Sequence, residues 1–363
     1  MGPKLLNAYK TSHIRLAANI LKKGGLVAFP TETVYGLGAD ALNAKAVCRI
    51  FEVKKRPAFD PLIVHVSDPK EAMKLWKETP SVAVRLMKKF WPGPLTLVLP
   101  KSKLIPDVVT AGFSTVAVRM PDHSAALSLI RALGHPIAAP SANTFGFMSP
   151  TSAQDVREDL GKAIEGVLDG GNTKIGVEST VLKIEKGRGI LLRPGGITVE
   201  EIREVIRVEK NIPQKKERHG SPGLLTSHYA PRHAPLFLMD QLFQKELEAY
   251  LKALDRKRSP LPRIGLLSMR PKKSNSGFYA VRALSRRGDL YEAASNLFQA
   301  MRKLDKMSLA IILAETVPTH GIGLAILDRL KKASGGKTAS KDLLNKIRKG
   351  TYGTDSKKSH NGL

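Results

Sequence analysis

Residues 25–41 read GLVAFPTETVYGLGADA, and this stretch decides how the fold begins. The apolar run 25–29 predicts a buried strand, which ends at a proline. Two threonines and a glutamate, residues 31–33, follow this strand, although a plain turn needs only one or two special residues. The Thr-Glu-Thr row is therefore a candidate wall of a site. Gly36 and Gly38 are expected to let the backbone reverse before the next helix.

The composition is that of a soluble globular protein. Of the 363 residues, 42% are hydrophobic and 25% are charged, and this length favours two domains. No apolar stretch approaches the roughly 20 residues that a membrane helix needs, and the N-terminal residues do not resemble a signal peptide. The single cysteine, Cys48, excludes an internal disulfide and favours a reducing compartment. We expect a cytoplasmic protein without membrane contact.

The charge balance favours anionic partners. Lysine and arginine number 59 against 32 acidic residues, which gives a formal net charge of +27. Such a field attracts nucleotides, RNA and acidic surfaces. Cations spread over solvated faces would give the same total, so the charge alone does not identify the partner.

Alternating strand and helix patterns over residues 1–208 predict an α/β domain with a largely covered sheet. Strands are predicted at 26–29, 62–66, 95–99, 115–119, 136–139, 165–168 and 180–184. Helices are predicted at 44–53, 81–90, 124–133 and 152–160. Ser124 is the expected N-cap of the third helix, and hydroxyls with an acid begin the fourth.

The remainder of the chain predicts a linker, a second domain and a tail. Residues 209–235 are rich in Pro, Gly, His and charge and have no periodicity, which is typical of a linker. A smaller α/β domain is predicted over 236–335, with strands near 236–238, 264–268 and 309–313 and helices near 241–253 and 290–304. The tail 336–363 is basic and poor in apolar residues, and we expect disorder from Thr351 onward.

Two cations, Lys54 and Arg56, stand at the end of a predicted helix in a segment that leads into a strand. In an extended segment residues two apart face the same side, and paired cations beside prolines suit a triphosphate. The alternative is a basic helix C-terminus stabilised by the helix dipole.

Further polar groups stand at strand ends. Arg119 ends a buried strand and requires an anionic partner, which a substrate carboxylate or an internal Asp or Glu would supply. His65 alternates with apolar residues, a pattern more typical of a structural histidine. Ser141 and Asn143 alternate onto one side after the strand 136–139. Strand ends are where open α/β sheets bind ligands. Metal-binding Cys/His pairs and a G-x-S-x-G elbow are both absent from the sequence, so neither a metal site nor a serine hydrolase is predicted.

Seven motifs in order carry a family resemblance: PTETVYGLGADA, VKKRPAFDPLIVHV, FWPGPLTLVLP, VAVRMP, APSAN, GVESTV and LLRPGGIT. With them the chain resembles the L-threonylcarbamoyladenylate synthases over about residues 28–197. Its K-x-R and S-x-N elements are highly specific in combination. The segments SPGLLTSHYAP and GIGLAILDRLKKAS are similar to the longer form, in which a C-terminal extension domain follows a YrdC-type catalytic domain.

The resemblance implies a fold and a reaction. The fold is a twisted mixed sheet with helices around a basic concave cavity (YrdC-like), plus a smaller Rossmann-like α/β domain, and the linker closes over the site. Members condense L-threonine, bicarbonate and ATP into threonylcarbamoyl-AMP and pyrophosphate, with Mg²⁺ on the phosphates and no dedicated protein ligand for the metal. A separate threonylcarbamoyl transferase complex then modifies the adenosine 3′ of the anticodon in tRNAs that read ANN codons.

The resemblance also implies the site residues. L-threonine would contact Thr33, His65, Arg119, Ala139 and Ser179, with its carboxylate on Arg119. ATP would contact Lys54, Arg56, Asp60, Thr115, Ser141, Asn143, Ser149, Arg193 and, from the linker, Tyr229. Lys54 and Arg56 would be the catalytic pair that stabilises charge on the phosphates.

Three features depart from the family pattern. Asp60 stands where asparagine is commoner, Leu327 stands where asparagine is usual, and Leu225-Thr226-Ser227 replaces a more polar Lys-Tyr-Arg variant of the linker. They concern contacts of the lid rather than the chemistry.

Two other functions compete with this interpretation. An RNA-binding module would use the basic cavity to hold double-stranded RNA or tRNA. A carbamoyl-transfer domain of a larger maturation enzyme would call for zinc-finger cysteines, which a single cysteine does not supply. We expect a monomer, and direct contact with tRNA stays open.

Overall fold

The computed structural model describes residues 2–209, 228–257, 262–272 and 277–351. These residues form two compact units, one with residues 2–145 and 149–209 and the other with residues 146–148 and the described residues from 228 onward. Most of the predicted linker, including Leu225-Thr226-Ser227, and the tail beyond Thr351 lie outside the described residues. The predicted boundaries at 208 and 235 therefore stay predictions.

The first unit is a sheet covered by helices. Its strands are β1 (Lys4–Asn7), β2 (Val27–Phe29), β3 (Gly36–Asp40), β4 (Ile63–His65), β5 (Leu95–Pro100), β6 (Thr115–Arg119), β7 (Ile137–Ala139), β8 (Gly166–Asp169), β9 (Thr180–Glu185), β10 (Arg188–Arg193) and β11 (Val208–Glu209). Its helices are α1 (Thr11–Lys22), α2 (Ala44–Lys54), α3 (Pro69–Leu75), α4 (Ser81–Phe90), α5 (Ser124–Leu133), α6 (Ala153–Leu160) and α7 (Val199–Arg203).

The strands pair in the order β1–β8–β2–β3–β7–β4–β6–β5–β9–β10–β11. The sheet is mixed, since β4 is parallel to β6 on one side and antiparallel to β7 on the other. Apolar residues from the strands and from helices such as α2 and α4 form the main core of the unit. The predicted α/β class with a mixed sheet is confirmed.

Strand β3 corrects the prediction for Gly36 and Gly38. The segment Gly36–Asp40 runs antiparallel to β2, so the backbone reverses before these glycines and not at them. Gly38 is required for space, because a Cβ there would lie 2.8 Å from Ile137 Cγ2 and 2.9 Å from Phe29 Cε1. Glycine is depleted in strands, which is why the residue pattern did not predict β3.

Two helix starts illustrate local capping. Ser152 accepts a hydrogen bond from the Asp155 N–H, and the Asp155 carboxylate accepts one from the Ser152 N–H, which completes a capping box before α6. Helix α5 begins at Ser124 as predicted, but the predicted Ser124 cap is wrong. The N-cap is His123, whose Nδ1 accepts from the Ala125 N–H at 3.2 Å.

The second unit is a smaller α/β structure. Its strands β12 (Leu236–Met239), β13 (Ile264–Ser268), β14 (Ala280–Ala283) and β15 (Ile311–Glu315) pair in the order β12–β15–β13–β14, all parallel. Its helices are α8 (Gln241–Arg256), α9 (Leu290–Asp305), α10 (Gly323–Ala333) and α11 (Lys341–Arg348). The all-parallel sheet with helices agrees with the Rossmann-like prediction, although the strand predicted at 309–313 begins two residues later. None of the described helices has the length and apolar character of a membrane span.

Candidate active site

Three neighbouring strands, β7, β4 and β6, carry several of the predicted site residues. The parallel register sets His65 beside Arg119, and the antiparallel register sets Ala139 beside Ile63. Thr115 and Arg119 share one face of β6 and lie about 13 Å apart at the usual rise of a strand. The three strands β7–β4–β6, called the strip below, therefore have two polar ends, one at His65 and Arg119 and the other at Thr115.

The middle of this strip is apolar. Ala117 lies between the two polar ends of β6 and packs with Ile63, Val98, Val181 and Leu192 in one buried cluster. Because the sheet is mixed, carboxyl ends of strands point both ways along it. Arg119 and His65 lie at the carboxyl ends of β6 and β4, whereas the carboxyl end of β7 points toward Thr115.

Arg119 has an internal charge partner. Its Nη2 lies 2.6 Å from Glu32 Oε2, and its Nη1 donates to Thr33 Oγ1 at 3.0 Å. The side chains of this ion pair are 4% and 3% exposed, so the pair is shielded from solvent. Thr31 fixes the turn, because its Oγ1 donates to the Val34 carbonyl at 2.6 Å. Of the two partners that the sequence left open for Arg119, the internal acid is present.

His65 lies buried at the same end of the strip and is neutral. Burial, with the charge of Arg119 nearby, lowers the pKa of His65 to about 3. The ring meets Phe29 edge-on, with 5.8 Å between the ring centroids. A neutral imidazole here can exchange hydrogen bonds with a ligand but does not hold an extra proton near pH 7.

The loop 175–179 links the Thr-Glu-Thr row to Arg193. The backbone N–H of Ile175 donates to the Glu32 carbonyl at 2.8 Å, which holds the loop before Ser179 against this row. Arg193 donates through Nε and Nη2 to the Ser179 carbonyl at 3.1 and 3.0 Å. The hydroxyl oxygens of Ser179 and Thr96 lie 2.8 Å apart. A residue predicted to bind threonine, Ser179, and one predicted to bind ATP, Arg193, are therefore in direct contact.

The K-x-R and S-x-N elements meet through Lys54. Its ammonium donates to the Ser141 carbonyl at 2.6 Å and to the Asn143 carbonyl, and Ser141 Oγ donates to Asn143 Oδ1 at 2.5 Å. Lys54 is 1% exposed, and burial, with Arg56 nearby, lowers the pKa of Lys54 well below its usual value. The lysine thus fixes the turn that follows β7.

Arg56 forms a buried ion pair with Asp60. Its Nη2 lies 2.9 Å from Asp60 Oδ2, and Nε and Nη2 donate to the carbonyls of Asp60 and Pro61, each at 2.9 Å. The guanidinium also lies over the Phe145 ring, 5.7 Å from its centroid. The assumption of an extended segment for this pair is wrong, because Lys54 ends helix α2 and Lys55 is left-handed, with φ of 53°.

The remaining predicted residues occupy varied surroundings. Ser149 is buried, and its hydroxyl donates to the Glu178 carboxylate. Ala139 is buried at the end of β7, and Thr115 is partly exposed at the start of β6.

Tyr229 belongs to the second unit. Its ring is buried, with the Phe298 ring centroid 5.5 Å away and the Arg329 guanidinium carbon 5.4 Å from its own centroid. The role of Tyr229 as a lid over ATP stays a prediction.

Sequence reasoning did not assign roles to Glu32, Thr96 and Glu178. Glu32 stood in the row that the sequence singled out, and the need of Arg119 for an acid was the signal that links the two. Thr96 and Glu178 contact predicted residues through side chains that no local pattern distinguishes.

Comparison with known proteins supports the motif resemblance. A family model described as "Telomere recombination" matches residues 19–195, and one described as "Threonylcarbamoyl-AMP synthase, C-terminal domain" matches residues 197–335. A threonylcarbamoyl-AMP synthase of Pyrococcus abyssi is 46% identical over 327 residues, which is 89% of this chain and 94% of the relative. The chain belongs to the threonylcarbamoyl-AMP synthase family. The homologous synthase of Bacillus subtilis is 46% identical over 331 residues, 89% of this chain and 93% of that protein.

Solved structures of this family share the fold. The Pyrococcus abyssi Sua5 protein in complex with L-threonine superposes with a TM-score of 0.82 at 43% identity, covering 92% of this chain and 98% of that one. A variant of the same protein, with a histidine and a tyrosine replaced by alanine, gives a TM-score of 0.81 at 42% identity, over 93% of this chain and 97% of that one. The matches do not favour the RNA-binding alternative.

Proposed function

We propose that this chain condenses L-threonine, bicarbonate and ATP into threonylcarbamoyl-AMP, pyrophosphate and water. The observation that carries the proposal is the strip β7–β4–β6 with its two polar ends. Arg119 and His65 lie at one end, and Thr115 lies about 13 Å away at the other, on the same face of the sheet. This spacing suits two substrates that must meet over an apolar floor.

The Arg119 end suits an amino acid. Arg119 Nε and His65 Nδ1 are buried and have no hydrogen-bond partner among the described residues. Because such groups are costly to leave unpaired, a ligand that brings a carboxylate and a hydroxyl gains their hydrogen bonds. In the proposal Arg119 binds the threonine carboxylate, while Thr33, His65, Ala139 and Ser179 surround the rest of the molecule.

The other end suits a nucleotide. The proposal assigns to ATP the cluster of Lys54 with Ser141 and Asn143, the Arg56–Asp60 pair and Thr115. It also assigns Ser149 and Arg193 to ATP, and Arg193 lies on the threonine side, where it donates to the Ser179 carbonyl. A phosphate beside Lys54 favours the charged ammonium form, which opposes the lowering of its pKa by burial. Lys54 and Arg56 would then stabilise the negative charge that grows on pyrophosphate as it leaves.

The chemistry needs positioning more than a protein nucleophile. The threonine amine adds to bicarbonate and water leaves, which forms a carbamate. A carbamate oxygen then bonds to the α-phosphorus of ATP, while the bond from that phosphorus to pyrophosphate breaks. Holding the two reactants in line supplies most of the acceleration. Exclusion of water protects the labile carbamate.

Mg²⁺ enters the proposal as part of the nucleotide substrate. Among the described residues, no group of three or more His, Cys, Asp or Glu side chains could hold a metal ion. In the proposal the phosphates of ATP hold this ion.

The proposal also places the chain in a sequence of reactions. A threonylcarbamoyl transferase complex would consume the product, since an acyl-adenylate-like molecule needs an acceptor, here the adenosine of a tRNA. A cytoplasmic location, a monomeric state and direct contact with tRNA stay predictions.

Pyrophosphate release tests the proposal. The purified chain should release pyrophosphate from ATP only when L-threonine and bicarbonate are both present. Tight binding of RNA without this turnover would instead support an RNA-binding module.

A further inference from the structure

We infer that Glu32 recognises the α-ammonium group of L-threonine. The inference rests on the proposed function and adds a carboxylate to the amino-acid end of the strip. The proposed reaction gives Glu32 no other role, although Glu32 is only 3% exposed and lies in the Thr-Glu-Thr row that follows β2.

The geometry brings Glu32 to the amino acid. Glu32 Oε2 lies 2.6 Å from Arg119 Nη2, and Arg119 Nη1 donates to Thr33 Oγ1. The second carboxylate oxygen of Glu32, Oε1, is buried and has no hydrogen-bond partner among the described residues. In any α-amino acid the ammonium group lies next to the carboxylate. A threonine whose carboxylate binds Arg119 therefore presents its ammonium close to Glu32.

Other candidate partners for the ammonium are less suitable. His65 is neutral, and Lys54 offers only donors, which are directed to backbone carbonyls. The buried carboxylates Asp60 and Glu178 are bound to Arg56 and Ser149. Glu32, by contrast, has a buried carboxylate oxygen, Oε1, with no hydrogen-bond partner among the described residues.

The charge balance also favours this assignment. Glu32 and Arg119 form a neutral pair, and threonine is a zwitterion. Placed together in a buried site, their charges alternate as Arg119 cation, threonine carboxylate, threonine ammonium and Glu32 anion, so no charge is left unpaired. The neighbouring His123 does not replace Arg119 as a partner of Glu32, because burial lowers the pKa of His123.

A binding cycle that varies both the protein and the ligand tests the inference. Isothermal titration calorimetry would compare the wild-type chain with Glu32→Gln, which keeps the shape of the side chain but removes its charge. The ligands are L-threonine and its α-hydroxy analogue, in which a hydroxyl replaces the ammonium. Glu165→Gln is a matched control, since Glu165 pairs with Arg49 at the same 2.6 Å but in an exposed position.

The expected result is selective. Glu32→Gln should weaken L-threonine binding roughly 10- to 100-fold, the range of a charge-assisted hydrogen bond, and change the binding of the analogue by less than about threefold. Equal losses for both ligands would show that Glu32 only positions Arg119, and an unchanged affinity for L-threonine would also overturn the inference.

Two further outcomes are decisive. If the wild-type chain binds no L-threonine at all, the proposed function fails together with this inference, whereas equal losses overturn the inference alone. If Glu32→Gln does not fold, Glu32→Asp retains the charge for Arg119 and shortens the reach. For Glu32→Asp, a loss of affinity that is smaller than the one expected for Glu32→Gln but still selective for L-threonine supports the inference. A loss that is equal for both ligands contradicts it.

Discussion

Replacement of Arg56 tests whether the K-x-R arginine stabilises the fold in addition to any contact with ATP. Arg56→Ala removes an ion pair of 2.9 Å with Asp60 and two hydrogen bonds to backbone carbonyls. Both side chains are 4% exposed, so the Asp60 carboxylate would lose its guanidinium in a buried position. Breaking such a pair typically destabilises a protein by about 3–5 kcal/mol. The melting temperature should fall by roughly 6–20 °C at about 2–4 °C per kcal/mol.

Thermal unfolding without ligands measures this effect separately from catalysis. The double variant Arg56→Ala/Asp60→Asn should recover at least about half of the loss, because a buried amide costs less than a buried carboxylate. Arg49→Ala is the matched control. It breaks the exposed pair with Glu165 and should cost less than about 1 kcal/mol. An Arg56→Ala variant that melts at as high a temperature as Arg49→Ala would show that the Arg56–Asp60 pair does not stabilise the fold.

Three further predictions follow from the site and the sheet. Lys54→Met should reduce pyrophosphate release at least about 100-fold, because the turn that follows β7 loses its ammonium group. Lys55 is an exposed neighbour, and the control variant Lys55→Ala should leave turnover within about twofold of the wild-type rate. His65 has a folded pKa of about 3, below its unfolded value of 6.5, so its neutral form stabilises the fold fully above pH 6.5 and less as the pH falls toward 3. Melting curves from pH 4 to 7 should therefore be less pH-dependent in His65→Asn than in the wild-type chain. Gly38→Ala should destabilise the first unit by about 1–3 kcal/mol in denaturant titrations, since its Cβ would meet a neighbour at 2.8 Å, whereas Gly166→Ala, with its nearest neighbour at 3.4 Å, should cost clearly less.

The parts of the fold that local patterns encode could be predicted. The apolar run before the Thr-Glu-Thr row is strand β2, and the helix expected at 44–53 is α2. Strand β3 was missed because Gly36-Leu37-Gly38 has low strand propensity, and only the close packing of β2 and β7 explains its glycines. Tertiary packing determines the conformation of such a segment, and a single sequence does not show that packing.

From the sequence, the residue types of the candidate site could be predicted, but their arrangement in space could not. Motif order brought Lys54, Ser141 and Asn143 into one group, and the structure joins them by hydrogen bonds. Their arrangement was not predictable, because it depends on the left-handed Lys55 and on the register of β7. The Glu32–Arg119 pair shows the same limit, since the two residues are distant in sequence and meet only through the pairing of strands.

Detection of the product is the most direct test of the proposed reaction. The chain would be incubated with ATP, L-threonine and isotope-labelled bicarbonate, and the mixture analysed by mass spectrometry. The proposed reaction should yield threonylcarbamoyl-AMP that carries the label in its carbamoyl carbon, and this product should not form when any one substrate is omitted. Hydrolysis of ATP without this labelled adduct, or an adduct that forms without L-threonine, would contradict the proposed reaction.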